Sequence, residues 1–390
     1  MNEGIGTMLA IRNATVFTPD RPIERGVVYI EDGRIVSVDR ELTNSTNATL
    51  VDADGLFLIP GLLDLQCNGI RGFDVLSCGQ DIVQAIADVL PEYGCTGVLP
   101  TIVSAPRHVL REGLAAIAIA ADIQRTGATI LGAHLEGPWL SPQYHGAHHL
   151  EHIRPFSLEE WAELSTANPG AIRIVTLAPE VEGNADAVAT IRASGSIVSL
   201  GHSGASYDDA LVAARNGAGM ATHLFNAMSP LHHRQVTLPN AALDLPQLVP
   251  SIIPDGFHVH PSILRLAVRA RGHRGLAIVT DSVPSAGQPH GSYNWNGTTV
   301  HWDGATVHFA DGGLAGSGIT PIQALARYVT YTGLSLAEAL PAMTSTPAEL
   351  LGLGQERGSI IPGARADLVL LTKDFSVQTT YVAGEVAYSA

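Results

Sequence analysis

From about residue 60 onward, short apolar runs alternate with longer stretches of helical periodicity. The runs fall at 62–65, 97–103, 130–135, 172–177, 197–200, 220–224, 248–253 and 276–279. The stretches between them carry helix signals. In 206–216, for example, Asp208 and Asp209 stand in the first turn and Gly217 follows the end. Run and helix in repetition predict βα units, and eight such units close a (β/α)8, TIM-like barrel. The flanks read differently. The β-rich run 27–30 leads through Asp32-Gly33 into 34–38, a hairpin signal, and 368–371 and 380–385 are β-rich again. The two ends are therefore expected to pair into a small, discontinuous β-sandwich domain over 1–59 and 352–390, with the barrel spanning 60–351.

Polar, metal-competent residues sit at or just past the ends of the apolar runs: Gln66 and Asn68, Glu136, His202, His223, His258 and Asp281. In a barrel those ends converge on one mouth, where active sites of this fold lie. Glu136, His202 and His223 follow runs three, five and six. One carboxylate and two imidazoles form a three-ligand set with an open position for water, the catalytic pattern for zinc. Asp281, directly after run eight, is placed to take a proton from such a water and pass it to a leaving amine. His148 and His258 are candidates for orienting substrate or stabilising an oxyanion. Arg234 is a candidate anion clamp. The glycine run 312–318 lacks the lysine of a phosphate loop and reads as a flexible loop near the mouth. Cys67 reads as a buried strand cysteine.

Composition narrows the chemistry. The 390 residues are 46% hydrophobic and 15% charged, fitting a compact globular protein with a large core. A formal charge of −15 argues against nucleic acid or an anionic membrane as partner. The chain holds a single lysine, Lys373, outside the barrel region. A carboxylated-lysine metal bridge and Schiff-base catalysis in the barrel are thereby excluded. Cys67, Cys78 and Cys95 do not suggest a disulfide framework. Residues 1–10 carry no signal-peptide pattern, so a cytoplasmic location is expected.

Three segments, His134-Leu135-Glu136-Gly137-Pro138-Trp139, Gly201-His202-Ser203 and Thr222-His223-Leu224-Phe225-Asn226-Ala227-Met228, resemble the N-acetylglucosamine-6-phosphate deacetylases of the amidohydrolase superfamily. The resemblance runs from the barrel entry Ile59-Pro60-Gly61-Leu62-Leu63-Asp64 to the closing Pro362-Gly363-Ala364-Arg365-Ala366-Asp367-Leu368-Val369. It implies hydrolysis of an N-acetyl amino sugar 6-phosphate to acetate and the free amine, with Glu136, His202 and His223 on the metal and Asp281 as general base and acid. It further implies that Asn226, Ala227, His258 and His148 hold the sugar phosphate and the acetamide, with Gln66 and Asn68 also at the substrate. Arg234 would reach the phosphate in a neighbouring subunit, which implies a homodimer. Two-metal members carry His-x-His at the first run, where this chain has Gln66-Cys67-Asn68. One divalent ion per subunit is therefore expected, zinc first, with iron(II), manganese(II) or cobalt(II) as alternatives. Deacylation of the galactosamine isomer or of another N-acyl substrate, and a non-catalytic binding barrel, stand as the other readings.

Overall fold

The structure is a computed structural model that describes residues 8–40, 48–77, 79–123 and 127–390. Cys78 and residues 1–7 lie outside the described residues. All eight apolar runs are strands of one parallel barrel: β1 (Leu62–Cys67), β2 (Cys95–Val103), β3 (Ala133–Glu136), β4 (Ile172–Leu177), β5 (Ile197–Leu200), β6 (Ala218–Ala221), β7 (Val249–Ile252) and β8 (Ala277–Ile278). Neighbours pair in sequence order around the wall. A helix follows each strand, as in Gln80–Val89 after β1 and Pro321–Thr332 after β8. The third run is interrupted. Thr129–Ile130 pairs with β2, and the chain then kinks at Gly132 (φ 121°) before β3 begins. A Cβ at Gly132 would stand 2.4 Å from the Arg173 side chain, so only glycine fits the kink.

The barrel closes with few backbone bonds. Between β8 and β1 a bridge joins Cys67 to Ser282, and Asp281 N–H donates to the Gln66 carbonyl at 2.9 Å. A buried carboxylate completes the closure. Asp64 of β1 accepts from the Thr280 hydroxyl (2.5 Å), the Thr280 N–H (3.2 Å) and the Gln66 N–H (3.3 Å). Burial pushes Asp64 up to about 6.

The two ends of the chain share one eight-stranded sheet. Its centre joins Phe57–Pro60 to Leu368–Leu371, antiparallel, from opposite ends of the sequence. The edge strand Arg34–Asp39 folds back onto residues 364–366, which lead into Leu368–Leu371. Ala366 N–H donates to the Gly33 carbonyl and Ile35 N–H to the Ala364 carbonyl, enclosing a core of Ile11, Val28, Ile30, Leu58, Leu368 and Leu370. A buried ion cluster ties this sheet to the barrel. Asp367 receives Arg357 and, at 3.0 Å, Arg365, while Arg357 also donates to Thr129 Oγ1 at 3.0 Å. Asp367→Ala would leave the Arg357 guanidinium buried without its counter-ion, a change that costs about 3–5 kcal/mol. We expect a loss of that size in urea unfolding, with a loss below about 1 kcal/mol counting against the clamp.

Candidate active site

The ends of β1, β3, β5, β6 and β8 turn toward one cavity at the barrel mouth. Asn68, Glu136, His148, His202, His223, Asn226, Ala227, His258 and Asp281 line it. Gln66 and Arg234 do not line it. Gln66 is buried behind the wall, where its amide nitrogen bridges two carboxylates, donating to Glu136 Oε1 at 2.9 Å and to Asp281 Oδ1 at 3.1 Å. Arg234 lies on the exposed segment 230–236 and does not line the cavity of its own chain.

The backbone at the site is unusual. His202 (φ 48°), His223 (29°), Phe225 (79°), Ala227 (48°) and Asp281 (49°) all adopt left-handed conformations. Residues with a Cβ occupy that region at a cost, and such residues cluster at functional sites. Of these, His202, His223 and Asp281 stand two or three residues past the ends of β5, β6 and β8, where the chain leaves the strand.

Glu136 is the hub. His223 Nε2 lies 3.0 Å and His202 Nε2 3.3 Å from its Oε1, and the two ring nitrogens are 3.1 Å apart. Burial alone would raise the Glu136 carboxyl, but the adjoining His202 and His223 rings outweigh it and hold the group well below the usual carboxylate range. His202 Nδ1 faces the Tyr144 carbonyl at 3.0 Å. A carbonyl only accepts, so Nδ1 carries the proton and Nε2 offers its lone pair to the site. The three ligand atoms are separated by distances close to the edge of a zinc tetrahedron, about 3.3 Å for bonds of 2.0–2.1 Å. The donor set therefore fits a divalent ion.

His148 is also within reach; Glu136, His148 and His202 each offer an atom within 4.8 Å of the others. Its tautomer sets it apart. The Ser104 backbone N–H donates to His148 Nδ1 at 3.1 Å, so a neutral ring carries its proton on Nε2. Burial and then the neighbouring His202 hold His148 well below its ordinary range, which keeps it neutral. His148 is thus built as a hydrogen-bond donor. The nearby His134 is a core residue, bonded to the Leu65 carbonyl (3.1 Å) and Thr176 Oγ1 (2.7 Å).

Asp281 accepts from Asn68 Nδ2 at 2.8 Å as well as from Gln66. Burial, and then the charge of Glu136, push it up to about 7. A carboxyl poised there can both take and return a proton near neutrality. His258 donates from Nδ1 to Asp255 Oδ2 at 2.6 Å. Burial would raise Asp255, yet this bond and the charge of His258 lower it. Cys67 is buried, and burial pushes its thiol up to about 12, which fits a structural cysteine.

Several site residues went unnoticed in the sequence. Ser104 sets the tautomer of His148. Glu180 accepts from the Ser203 hydroxyl (2.7 Å) and the Gly204 N–H (2.5 Å), holding the turn after His202. Trp295 and Leu314 wall the cavity from a three-stranded meander beyond β8 (Gly291–Trp295, Thr298–Trp302, Val307–His308). Its first turn, Asn296-Gly297 with φ of 51° and 72°, is a hairpin signal that could have revealed it. The glycine run 312–318 does lie at the mouth, but its second half is buried and Ser317 N–H donates to the Asp281 carbonyl at 2.8 Å.

Residues 57–387 match the family model described as "Amidohydrolase family". The chain belongs to the amidohydrolase family. Among its relatives within that family, the N-acetylglucosamine-6-phosphate deacetylase of Homo sapiens is 36% identical over 98% of this chain and 91% of its own length. The Bacillus subtilis enzyme of the same name is 33% identical over 97% of each. An N-acetylgalactosamine-6-phosphate deacetylase of Escherichia coli O157:H7 is 32% identical over 97% of this amidohydrolase and 98% of the relative. The crystal structure of the Pasteurella multocida N-acetylglucosamine-6-phosphate deacetylase superposes with a TM-score of 0.93 at 32% identity, covering 98% of this chain and all of the other. A Mycobacterium smegmatis deacetylase mutant, solved in complex with N-acetyl-D-glucosamine-6-phosphate, superposes with a TM-score of 0.92 at 28% identity, covering 98% and 100%.

Proposed function

We propose that this amidohydrolase hydrolyses N-acetyl-D-glucosamine 6-phosphate to D-glucosamine 6-phosphate and acetate in amino-sugar metabolism. The observation that carries this reading is the convergence of Glu136, His202, His223, His148 and Asp281 on one cavity, in a chain aligned end to end with deacetylases of that name. The domain division at 59/60 and 351/352 and a cytoplasmic location belong to the same reading. Among the described residues no helix is long and apolar enough to cross a membrane.

Glu136, His202 and His223 hold one divalent ion, with zinc favoured by the mixed nitrogen and oxygen donors. When bound, the ion acidifies a water and polarises the amide carbonyl. Gln66 supports a single ion, because its amide nitrogen already bridges Glu136 and Asp281, where a second cation would need their oxygens. Asp281 takes the proton from the attacking water and returns it to the departing amine. The Nε2–H of His148 donates to the oxygen on which charge develops. Asn226, Ala227 and His258, with Asn68, hold the sugar end. Arg234 serves the phosphate in a partner subunit's cavity. Supporting this, Leu231 of the exposed segment that carries Arg234 lines an apolar groove with the exposed Ile263 and Leu266, and that groove shares His258 with the active-site cavity. A contiguous apolar patch at that place suits a second copy of the chain.

Elemental analysis of protein freed of loosely bound ions should give close to one divalent metal per chain; two tightly held ions would overturn the single-ion reading. Asp281→Asn should keep metal and fold while kcat falls about 10²–10⁴-fold, the usual loss on removing a general acid–base group. A metal-loaded variant of near wild-type kcat would assign the proton to another group. The decisive assay is a panel of N-acetylated gluco and galacto amino sugars, each with and without the 6-phosphate. In that panel Arg234→Ala should raise KM for the phosphorylated sugar roughly ten- to a hundredfold, as expected for loss of a charge-assisted pair, and leave the free sugar little changed. Mixing Arg234→Ala with Asp281→Asn chains should restore activity through sites that draw the arginine and the aspartate from different subunits. No recovery after proven subunit exchange would confine Arg234 to its own chain.

A further inference from the structure

The loop that carries Arg234 is seated at both ends on one short stretch of chain. Residues 228–237 lead from the turn after β6 to the helix Leu238–Asp244. At the near end, Ser203 N–H donates to the Ala227 carbonyl and Ser229 N–H to the Ser203 carbonyl, each at 3.1 Å. At the far end, Tyr207 N–H donates to the Val236 carbonyl at 3.1 Å and Leu238 N–H to the Ala205 carbonyl at 3.0 Å. Bridges pair Ser203 with Met228 and Ser206 with Thr237. Residues 203–207 are therefore the seat of this loop, and Asn226 and Ala227 stand immediately before it.

A carboxylate holds the seat in turn. Glu180, on the turn after β4, accepts from the Ser203 hydroxyl at 2.7 Å and from the Gly204 N–H at 2.5 Å. Hydrogen bonds to an ionised acceptor are about twice as strong as neutral ones. The Glu180 turn is tied back to the segment after Glu136, not to the Arg234 loop. Ala178 N–H donates to the Trp139 carbonyl at 3.0 Å, and Asn184 Nδ2 donates to the Trp139 and Ala178 carbonyls at 2.9 and 2.8 Å. His202, one residue before the seat, has separate ties: its carbonyl accepts from Ser141 N–H at 2.9 Å, and its ring meets the Tyr144 carbonyl. Glu180 itself does not line the active-site cavity.

We propose that Glu180 is a positioning residue for the phosphate-bearing end of the substrate: through Ser203 and Gly204 it sets how fully the loop 228–237 is seated, and with it the affinity for the sugar phosphate. This assignment rests on the deacetylase reading above, in which Asn226, Ala227 and Arg234 meet the substrate. A loop seated for part of the time offers a competent site for that fraction only, and the apparent affinity falls by the same factor. Once substrate is bound the loop is seated, so the chemical step proceeds as before.

Glu180→Gln keeps the shape of the side chain and removes its charge. KM for N-acetylglucosamine 6-phosphate should rise about tenfold, the scale of a lost charge-assisted bond, with kcat and metal content little changed. Glu180→Ala, which removes both bonds, should show the same split with a larger rise. Hydrogen exchange across residues 226–238 should quicken in both variants while exchange in β5 and β6 stays at the wild-type rate. An unchanged KM, a fall in kcat as large as the rise in KM, or wild-type exchange across 226–238 would overturn the seating role. Wild-type protein that cleaves no sugar phosphate would overturn the deacetylase reading instead, and the exchange rates would still decide whether Glu180 seats the loop.

Discussion

The site is organised around a shortage of positive charge. Glu136 and Asp281 are buried carboxylates that share a single amide donor, Gln66, and the barrel sequence contains no lysine. Burial, and then the charge of Glu136, push Asp281 upward. A bound cation relieves that push. With a cation present, both carboxylates can stay ionised at short range. The histidines divide through their outer hydrogen bonds. The Tyr144 carbonyl turns His202 into a lone-pair donor, and the Ser104 amide turns His148 into a proton donor.

Position at the mouth depends on how the barrel is closed. The last strand meets the first through few backbone bonds, and the Asp64 carboxylate fastens Thr280 where a fuller ladder would otherwise run. Asp281 is the next residue, so its placement depends on that fastening and on Ser317, which holds its carbonyl from the other side. A long insertion after β8 thereby reaches the reacting groups without passing through the barrel wall.

Much of this was legible in the sequence. The eight apolar runs gave strands within a few residues of their observed ends, because buried parallel strands are continuously apolar. Of the polar residues just beyond those runs, all but Gln66 line the cavity at the mouth, where the topology brings the strand ends together. Partnership was less legible. That Gln66 would bridge two carboxylates rather than face a ligand depends on side-chain distances across the barrel, which sequence spacing does not encode. The walls from Trp295 and Leu314 were missed for a different reason. Attention to eight repeats hides a meander that follows the eighth, although Asn296-Gly297 marked its turn.

The small sheet has a consequence for how the protein is made. Strand Phe57–Pro60 takes Leu368–Leu371 as its partner, a stretch that leaves the ribosome roughly 300 residues later. At about 5–20 residues per second that is a delay on the order of 15–60 s. Through that interval the early β-rich segment exists with an open edge while the whole barrel is synthesised between its two halves. An exposed edge of this kind invites pairing with another chain, so the nascent protein carries that liability until the last strands emerge.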